Sequence, residues 1–407
     1  MPSVCFYFQV HQPFRLKHYD CFKIGHDHFY EDEKSNKEIL DRVSRKCYLP
    51  SNYTMLSLID KHQGDFKIAY SLSGTVIEQM EKYRPDVLRS FQALTETGCV
   101  EFLSETYYHS LSFLYSKNEF VRQVKKHREK IKEHFNQEPT VFRNTELIYN
   151  NEIANFISIQ GYKGIICEGV DHLLGYRNSN FIYHPPQNQN IKCLLKNYKL
   201  SDDIAFRFSN KGWDEWPLTA PKFANWVHQV AGNGETINLF MDYETFGEHQ
   251  WPETGIFDFL AHAPSQILAH PDFDFKTPSE VIKKYEARGE YDAPNLTSWA
   301  DIERDLSAWL GNSLQHDAME RIYALEKKVK ETQDQNLIDC WAKLLTSDHF
   351  YYMCTKYWND GDVHKYFSHY NSPHDAYINF MNVVTDLEHV LEMEEEKTEK
   401  LSIQSPM

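Results

Sequence analysis

The chain has 407 residues, of which 41% are hydrophobic, 14% aromatic and 25% charged, and its formal net charge is −16. This acidic balance, without a basic run of the kind that neutralises phosphates, excludes nucleic acid as a general partner. No apolar run approaches the roughly 20 residues that a membrane span requires, so no membrane partner is predicted.

Apolar segments with the length of buried strands alternate with helical patterns along most of the chain. The predicted strands cover 4–10, 66–71, 99–103, 140–146, 163–168, 191–195, 204–208, 236–241 and 273–275. The predicted helices include 39–47, 51–62, 119–135, 152–160, 217–229 and 256–268. This order indicates an α/β protein with βαβ units and a parallel sheet covered on both faces. It favours an incomplete barrel over a doubly wound sheet, and the lack of a glycine-rich loop after any strand argues against a nucleotide-binding fold.

The strand signal stops after Asn295. Helical patterns then cover 301–314, 316–332, 336–351 and 372–394. We therefore predict two domains, a barrel over residues 1–295 and a C-terminal α-helical region over residues 296–407.

Two of the predicted strands end in carboxylates. The strand over 236–241 runs without a spacer into Asp242 and Glu244, and the strand over 140–146 ends at Glu146. In α/β proteins, the loops at the carboxyl ends of strands collect catalytic groups. The chain also has 25 Tyr and 8 Trp, and such rings stack on the apolar face of a pyranose. These features together predict carbohydrate chemistry.

Five short signatures, in the order expected, make the chain resemble the family 57 glycoside hydrolases, particularly their α-amylase group. They are His11–Pro13, Gly98–Phe102, Arg143–Leu147, Asp242–Gly247 and Leu345–Tyr352. The first two are weak alone, whereas the last three in this order are specific. The resemblance extends over residues 1 to 355.

The resemblance implies a (β/α)7 barrel with a helical region that contributes to the active-site cleft. It implies cleavage of α-1,4-glucans such as starch, glycogen or maltooligosaccharides, with retention of configuration and without a cofactor or metal ion. The nucleophile of the family matches Glu146, and its general acid/base matches Asp242. Many members carry paired Trp in the fifth signature where this chain has Tyr351 and Tyr352, which weakens inference about substrate length and about hydrolysis versus transfer.

Further residues are predicted to bind substrate because they lie in these signatures, share the strand face of Asp242 or offer a stacking ring. They are His11, Glu101, Arg143, Trp213, Glu244, His249, Trp251, Asp348 and His349. Each also has a structural interpretation, such as a satisfied core histidine, a salt bridge or simple packing. Arg143, three residues before Glu146, would keep that carboxylate ionised if its side chain turns towards the site.

Other functions are compatible with the same residues. A 4-α-glucanotransferase would share the glycosyl-enzyme intermediate and differ only in the group that attacks it. A metal-dependent polysaccharide deacetylase or α-mannosidase-like hydrolase would use His11, His109, Asp242 and His249 as ligands, although a catalytic metal site needs about three well-placed ligands. A non-catalytic α-glucan-binding protein would be expected to have lost one of the two carboxylates, and both are present.

The eight cysteines form no Cys-x-x-Cys pair, and most lie in apolar segments. Met1 leads directly into a predicted strand, with no signal peptide. We therefore predict reduced, mostly buried thiols and a cytoplasmic location, while the oligomeric state is left open.

Overall fold

The computed structural model describes residues 1–356 and 368–404, and these fall into two compact units. The first unit comprises residues 1–12, 37–107 and 122–299. The second comprises residues 13–36, 108–121 and those from 300 onwards. Sequence analysis assigned residues 13–36 and 108–121 to the barrel, and the structure assigns them to the second unit instead.

Nine strands lie in the described part of the chain, all of them in the first unit. They are β1 (Ser3–Val10), β2 (Ile68–Leu72), β3 (Val100–Phe102), β4 (Val141–Arg143), β5 (Gly164–Glu168), β6 (Ile182–Tyr183), β7 (Lys192–Lys196), β8 (Thr236–Asp242) and β9 (Asp274–Phe275). One sheet has the parallel order β3-β2-β1-β8, with β9 beside the start of β1. The other has the order β4-β5-β7, with β6 antiparallel to β7.

Contacts at both ends of these sheets join seven parallel strands into a barrel. Ser104, just beyond β3, forms a parallel bridge with Phe142 of β4. On the other side, the backbone amide of Asn197 donates to the carbonyl of Asn238 in β8 at 2.9 Å. The predicted fold class, an incomplete (β/α)7 barrel followed by a helical region, is confirmed.

Helices connect the strands and continue beyond them. Those up to the end of the first unit are α1 (Glu33–Val43), α2 (Leu49–Lys61), α3 (Gly74–Tyr83), α4 (Pro85–Glu96), α5 (Ser112–Tyr115), α6 (Lys117–Phe135), α7 (Asn151–Ile159), α8 (Asp171–Leu174), α9 (Tyr198–Ala205), α10 (Ala220–His228), α11 (Ile256–Leu268) and α12 (Pro278–Lys284). The later helices are α13 (Ser307–Leu310), α14 (Ser313–Ala324), α15 (Glu326–Glu331), α16 (Gln335–Leu344), α17 (Ser347–Tyr351) and α18 (Pro373–Gln404). Within the described ranges, no helix combines the length and apolarity needed to cross a bilayer.

Alternation along the strands sorts their side chains between the barrel interior and the surrounding helices. Val4, Phe6 and Phe8 of β1 belong to the outer core, beneath the helices. Cys5 and Tyr7 belong to a separate inner core. Because both faces are covered, β1 is buried along its whole length, as expected of a strand in a parallel barrel.

The predicted strand over 204–208 is wrong, because its first residues belong to helix α9. Asn197 caps this helix, and its side chain accepts from the amide of Leu200 at 3.1 Å. The apolar run that resembled a strand is the buried face of the helix, which includes Ile204 and Ala205.

The second unit has its own core, which includes the buried side chains of Trp309, Trp341 and Phe380. The buried carboxylate of Asp386 in α18 ties the segment 13–36 to these helices. It accepts from the amide of Gly25 at 2.6 Å, Tyr30 Oη at 2.6 Å and His28 Nδ1 at 2.8 Å.

Candidate active site

The strands of the barrel carry polar side chains at their carboxyl ends, on the interior face. Each of these residues follows an inner-core residue by two positions and so shares its face. They are Gln9, Ser71, Glu105, Arg143, Glu168, Lys196 and Asp242, which follow Tyr7, Ala69, Leu103, Val141, Ile166, Leu194 and Phe240. Asp242, one of the two catalytic residues predicted from the sequence, therefore lies at a polar end of an otherwise apolar interior.

Two members of this polar layer, Arg143 and Glu105, form a buried ion pair. Arg143 Nη1 lies 3.6 Å from Glu105 Oε2, and neither side chain is exposed to solvent. Glu105 Oε1 also accepts from Gln9 Nε2 at 3.1 Å and from Ser71 Oγ at 2.5 Å. Buried charges with this many partners hold a fixed position, because any displacement would leave a charge without its partners in a region of low dielectric constant.

Arg143 also interacts electrostatically with both predicted catalytic residues. Burial alone would lower the pKa of its guanidinium, but the neighbouring Tyr7, Glu105, Glu146 and Asp242 outweigh burial and raise that pKa. One fixed positive charge therefore acts on both carboxyl groups. Because Arg143 is fully buried, the structure favours this electrostatic role over direct contact with a substrate.

Glu146 occupies a strained turn directly after β4. Its backbone is left-handed, with φ 56° and ψ 28°, a conformation that residues with a Cβ adopt rarely. Asn144 Nδ2 donates across the turn to the carbonyl of Ile148 at 3.0 Å. Such strain persists only where the surroundings enforce it, and it is found often at functional sites.

Trp299 binds Glu146 through both its backbone and its side chain. The indole Nε1–H donates to Glu146 Oε2 at 2.7 Å, and the Trp299 amide donates to the Glu146 carbonyl at 3.2 Å. Thr297 keeps this segment in place by pairing with Tyr149 in an antiparallel bridge. The Glu146 carboxylate is thereby oriented by a residue that lies well beyond the last strand.

Glu244, two residues after Asp242, is buried and hydrogen-bonded to Tyr48 Oη. Gln12 Nε2 donates to the same carboxyl group at 3.5 Å. Burial, followed by repulsion from Asp242, raises the pKa of Glu244 to about 8. Glu244 is therefore largely protonated at neutral pH, next to a residue proposed to move protons.

The raised pKa predicts how Glu244 affects stability. A carboxyl group whose pKa is higher in the folded protein contributes stability that is fully present below its ordinary pKa of 4.5 and is lost as the pH rises through about 8. Melting temperature should thus fall more steeply over this interval for the native protein than for Glu244→Gln, which stays neutral. Parallel pH dependences of the two melting temperatures would contradict this prediction.

Two of the three histidines predicted to bind substrate, His11 and His249, lie near the ends of β1 and β8. His11 Nδ1 is 2.7 Å from Ser73 Oγ, in the loop between β2 and α3. His249 follows the turn after β8, and burial lowers its pKa to about 4, so its ring is neutral at physiological pH. Both remain predicted substrate-binding residues.

Glu101 faces the barrel interior, as predicted, but at a lower level than the polar layer. Glu101 of β3 pairs with Ala69 of β2, and Ala69 pairs with Tyr7 of β1. Glu101 is therefore level with Tyr7 of the inner core and not with Gln9 of the polar layer. Its carboxylate accepts from the amide of Ser279 in the first turn of α12 at 2.9 Å. The structure therefore gives Glu101 a capping role at α12, away from Glu146 and Asp242.

The tryptophans predicted to stack on sugar lie in different environments. Trp213 packs against the outer core and meets the ring of Trp226 edge-on at 6.1 Å. Trp251 is 59% exposed. Exposure leaves Trp251 available to a ligand, whereas Trp213 has a packing role.

Asp348 and His349 lie in α17 of the second unit. His349 is buried and its ring lies 5.6 Å from that of Phe380 in α18. The contribution of both residues, and of the helical region, to substrate binding stays a prediction.

No three of the potential metal ligands considered from the sequence lie close enough to share an ion within residues 1–356 and 368–404. In these ranges, the His, Cys, Asp and Glu side chains close enough to share an ion are Glu81, Glu133 and His134, on the surface. That group includes none of His11, His109, Asp242 and His249, so the donor set does not fit the metal-dependent alternative.

Sequence reasoning missed six residues of the polar layer and its surroundings, namely Gln9, Ser71, Glu105, Glu168, Lys196 and Trp299. Lys196 Nζ lies 3.6 Å from Glu168 Oε2 and 3.1 Å from Asp202 Oδ1. Extending the strand alternation by one step beyond the predicted ends would have found Lys196 and Glu105. No comparable signal marks Trp299.

Comparisons with known proteins agree with this geometry. The profile described as Glycosyl hydrolase family 57 matches residues 5–294. A Methanocaldococcus jannaschii protein named "Putative alpha-amylase" is 43% identical over 401 residues, which is 95% of this chain and 84% of that protein. A branching enzyme of Pyrococcus horikoshii has a TM-score of 0.63 at 15% identity, covering 90% of this chain and 87% of its own. The alpha-amylase AmyC of Thermotoga maritima has a TM-score of 0.60 at 15% identity, covering 97% and 96%. These two structures share the fold of this chain.

Proposed function

Because the chain belongs to glycosyl hydrolase family 57 and is a glycoside hydrolase, we propose that it cleaves α-1,4-glucans with retention of anomeric configuration. Retaining enzymes use two carboxyl groups about 5–5.5 Å apart, one as nucleophile and one as acid and then base. We assign the first role to Glu146 and the second to Asp242. The similarity to a protein named "Putative alpha-amylase" supports α-glucan as the substrate class.

The observation that carries the proposal is the different environment of the two carboxyl groups. Glu146 accepts the indole N–H of Trp299 at 2.7 Å, which stabilises its ionised form. Asp242 lies at the end of β8 and interacts electrostatically with the buried carboxyl group of Glu244, and a neighbouring carboxyl group favours the protonated form. An enzyme that needs one ionised nucleophile and one proton donor requires this kind of asymmetry.

The reaction then has two steps. Asp242 gives its proton to the glycosidic oxygen while Glu146 Oε attacks the anomeric carbon, so that the C–O bond breaks and a glycosyl ester forms. In the second step, Asp242 takes a proton from water, whose oxygen attacks the anomeric carbon and releases Glu146 as a carboxylate. Each step inverts the configuration, so the product retains it.

Incubation with maltoheptaose, followed by product sizing and NMR of the fresh anomer, tests this function. Shorter oligosaccharides alone, released as the α-anomer, are expected. Longer products together with shorter ones would identify a 4-α-glucanotransferase, and a β-anomer would contradict retention.

Treatment with EDTA is expected to leave turnover unchanged, because the two carboxyl groups supply the proton transfer and the nucleophile. Loss of activity that a divalent ion restores would instead favour the metal-dependent alternative.

A further inference from the structure

Trp299 lies against two cations as well as against Glu146. The guanidinium carbon of Arg143 is 5.3 Å from the centre of its ring, and Lys196 Nζ is also 5.3 Å from it. Both distances fall within the range of about 6 Å in which a cation interacts with an aromatic face. The indole is therefore a neutral group between the positive charges of the polar layer and the carboxylate of Glu146.

A cation on an indole face draws electron density from the ring and makes its N–H a stronger donor. The hydrogen bond to Glu146 Oε2 then gains strength from two charges that do not touch the carboxylate. Carboxylate groups fix the cations in turn, since Arg143 pairs with Glu105 and Lys196 pairs with Asp202. This arrangement stabilises negative charge on the Oε2 atom of Glu146.

We propose that Trp299 is a positioning residue that orients the Glu146 nucleophile and keeps it ionised, through an N–H strengthened by Arg143 and Lys196. This rests on the proposed role of Glu146. The same bond acts in both steps, because Oε2 gains negative charge again when the glycosyl ester breaks. Loss of the N–H thus raises the pKa of the nucleophile and slows release of the sugar.

The sharpest test replaces Trp299 with 3-benzothienylalanine, which keeps the shape of the indole and substitutes sulfur for the N–H. The acidic limb of the pH profile of kcat/KM is expected to move to higher pH, because the ionised nucleophile is lost at higher pH. Turnover at the optimum is expected to fall by roughly ten- to a hundredfold, as for the loss of a hydrogen bond to a charged group. Trp299→Phe should show the same shift, and the analogue keeps the test valid if that variant does not fold.

Trp341→Phe is the matched control. The Trp341 indole also donates one buried hydrogen bond, at 2.8 Å, but to the carbonyl of Ile322 in the second unit. This variant should melt at a lower temperature and keep the acidic limb in place. An unmoved acidic limb in the folded Trp299 analogue, or an equal shift in Trp341→Phe, would overturn the inference. If Glu146→Gln retains turnover, the proposed function fails instead, whatever the Trp299 variants do.

Discussion

Replacing Glu146 with glutamine is expected to reduce turnover of maltooligosaccharides by at least about 10⁴-fold, the scale seen when a catalytic nucleophile is lost. Glutamine keeps the size of the side chain and can still accept from Trp299, so folding should be preserved. Its amide cannot form the glycosyl ester by attack on the anomeric carbon. Steady-state kinetics with maltoheptaose, together with melting temperature, measure the two effects separately.

Azide distinguishes loss of the nucleophile from general damage. In Glu146→Gly, azide can enter the vacated space and attack α-maltosyl fluoride from the face that Glu146 used. One inversion then gives a β-glycosyl azide, which NMR identifies. Glu138→Gln is the control for Glu146→Gln, because it makes the same replacement of glutamate by glutamine at an exposed position. This variant should leave turnover unaltered. Turnover near the native level in Glu146→Gln would dismiss the assignment.

The second large effect is expected for Asp242→Asn, which removes the proton donor and keeps the nucleophile. Turnover of maltoheptaose should fall by about 10²–10⁴-fold, the usual contribution of general acid–base catalysis. For α-maltosyl fluoride, the rate of the first step, in which the glycosyl ester forms, should fall much less, because fluoride leaves without a proton. Pre-steady-state kinetics with the fluoride should therefore show a burst, as the glycosyl ester accumulates without a base to activate water.

Azide should also act on Asp242→Asn, but with the opposite stereochemistry. It is already an anion and needs no base, so it attacks the glycosyl ester directly and gives an α-glycosyl azide after two inversions. The contrast between β-azide from Glu146→Gly and α-azide from Asp242→Asn assigns the two carboxyl groups. Equal losses on the fluoride and on maltoheptaose would show that Asp242 is not the acid.

Strand alternation predicts the face of a side chain better than its level in the barrel. The position of the proposed catalytic pair at the carboxyl ends of strands could be predicted, because Glu146 and Asp242 each follow a short apolar run that defines a strand. For β3, the same reasoning found the interior face but selected Glu101 instead of Glu105. The two residues share a face, and only the pairing of Ala69 with Glu101 shows which of them lies at the polar end.

The remaining parts of the site depend on contacts between distant residues. Trp299 reaches Glu146 because Thr297 pairs with Tyr149. No periodic sequence pattern predicts such a bridge in an irregular segment. The assignment of residues 13–36 to the second unit likewise depends on Asp386, more than 350 positions away from Gly25. Local propensity carries no information about pairs of this kind.

The left-handed turn at Glu146 has a consequence for selection. Holding a residue with a Cβ in this region costs on the order of 1 kcal/mol, whereas glycine adopts the region freely. The side chain that best suits the backbone here is therefore not the one that the proposed reaction needs. A population of variants selected only for survival of heating is expected to drift away from glutamate at position 146, and a screen that also scores sugar release is expected to restore it.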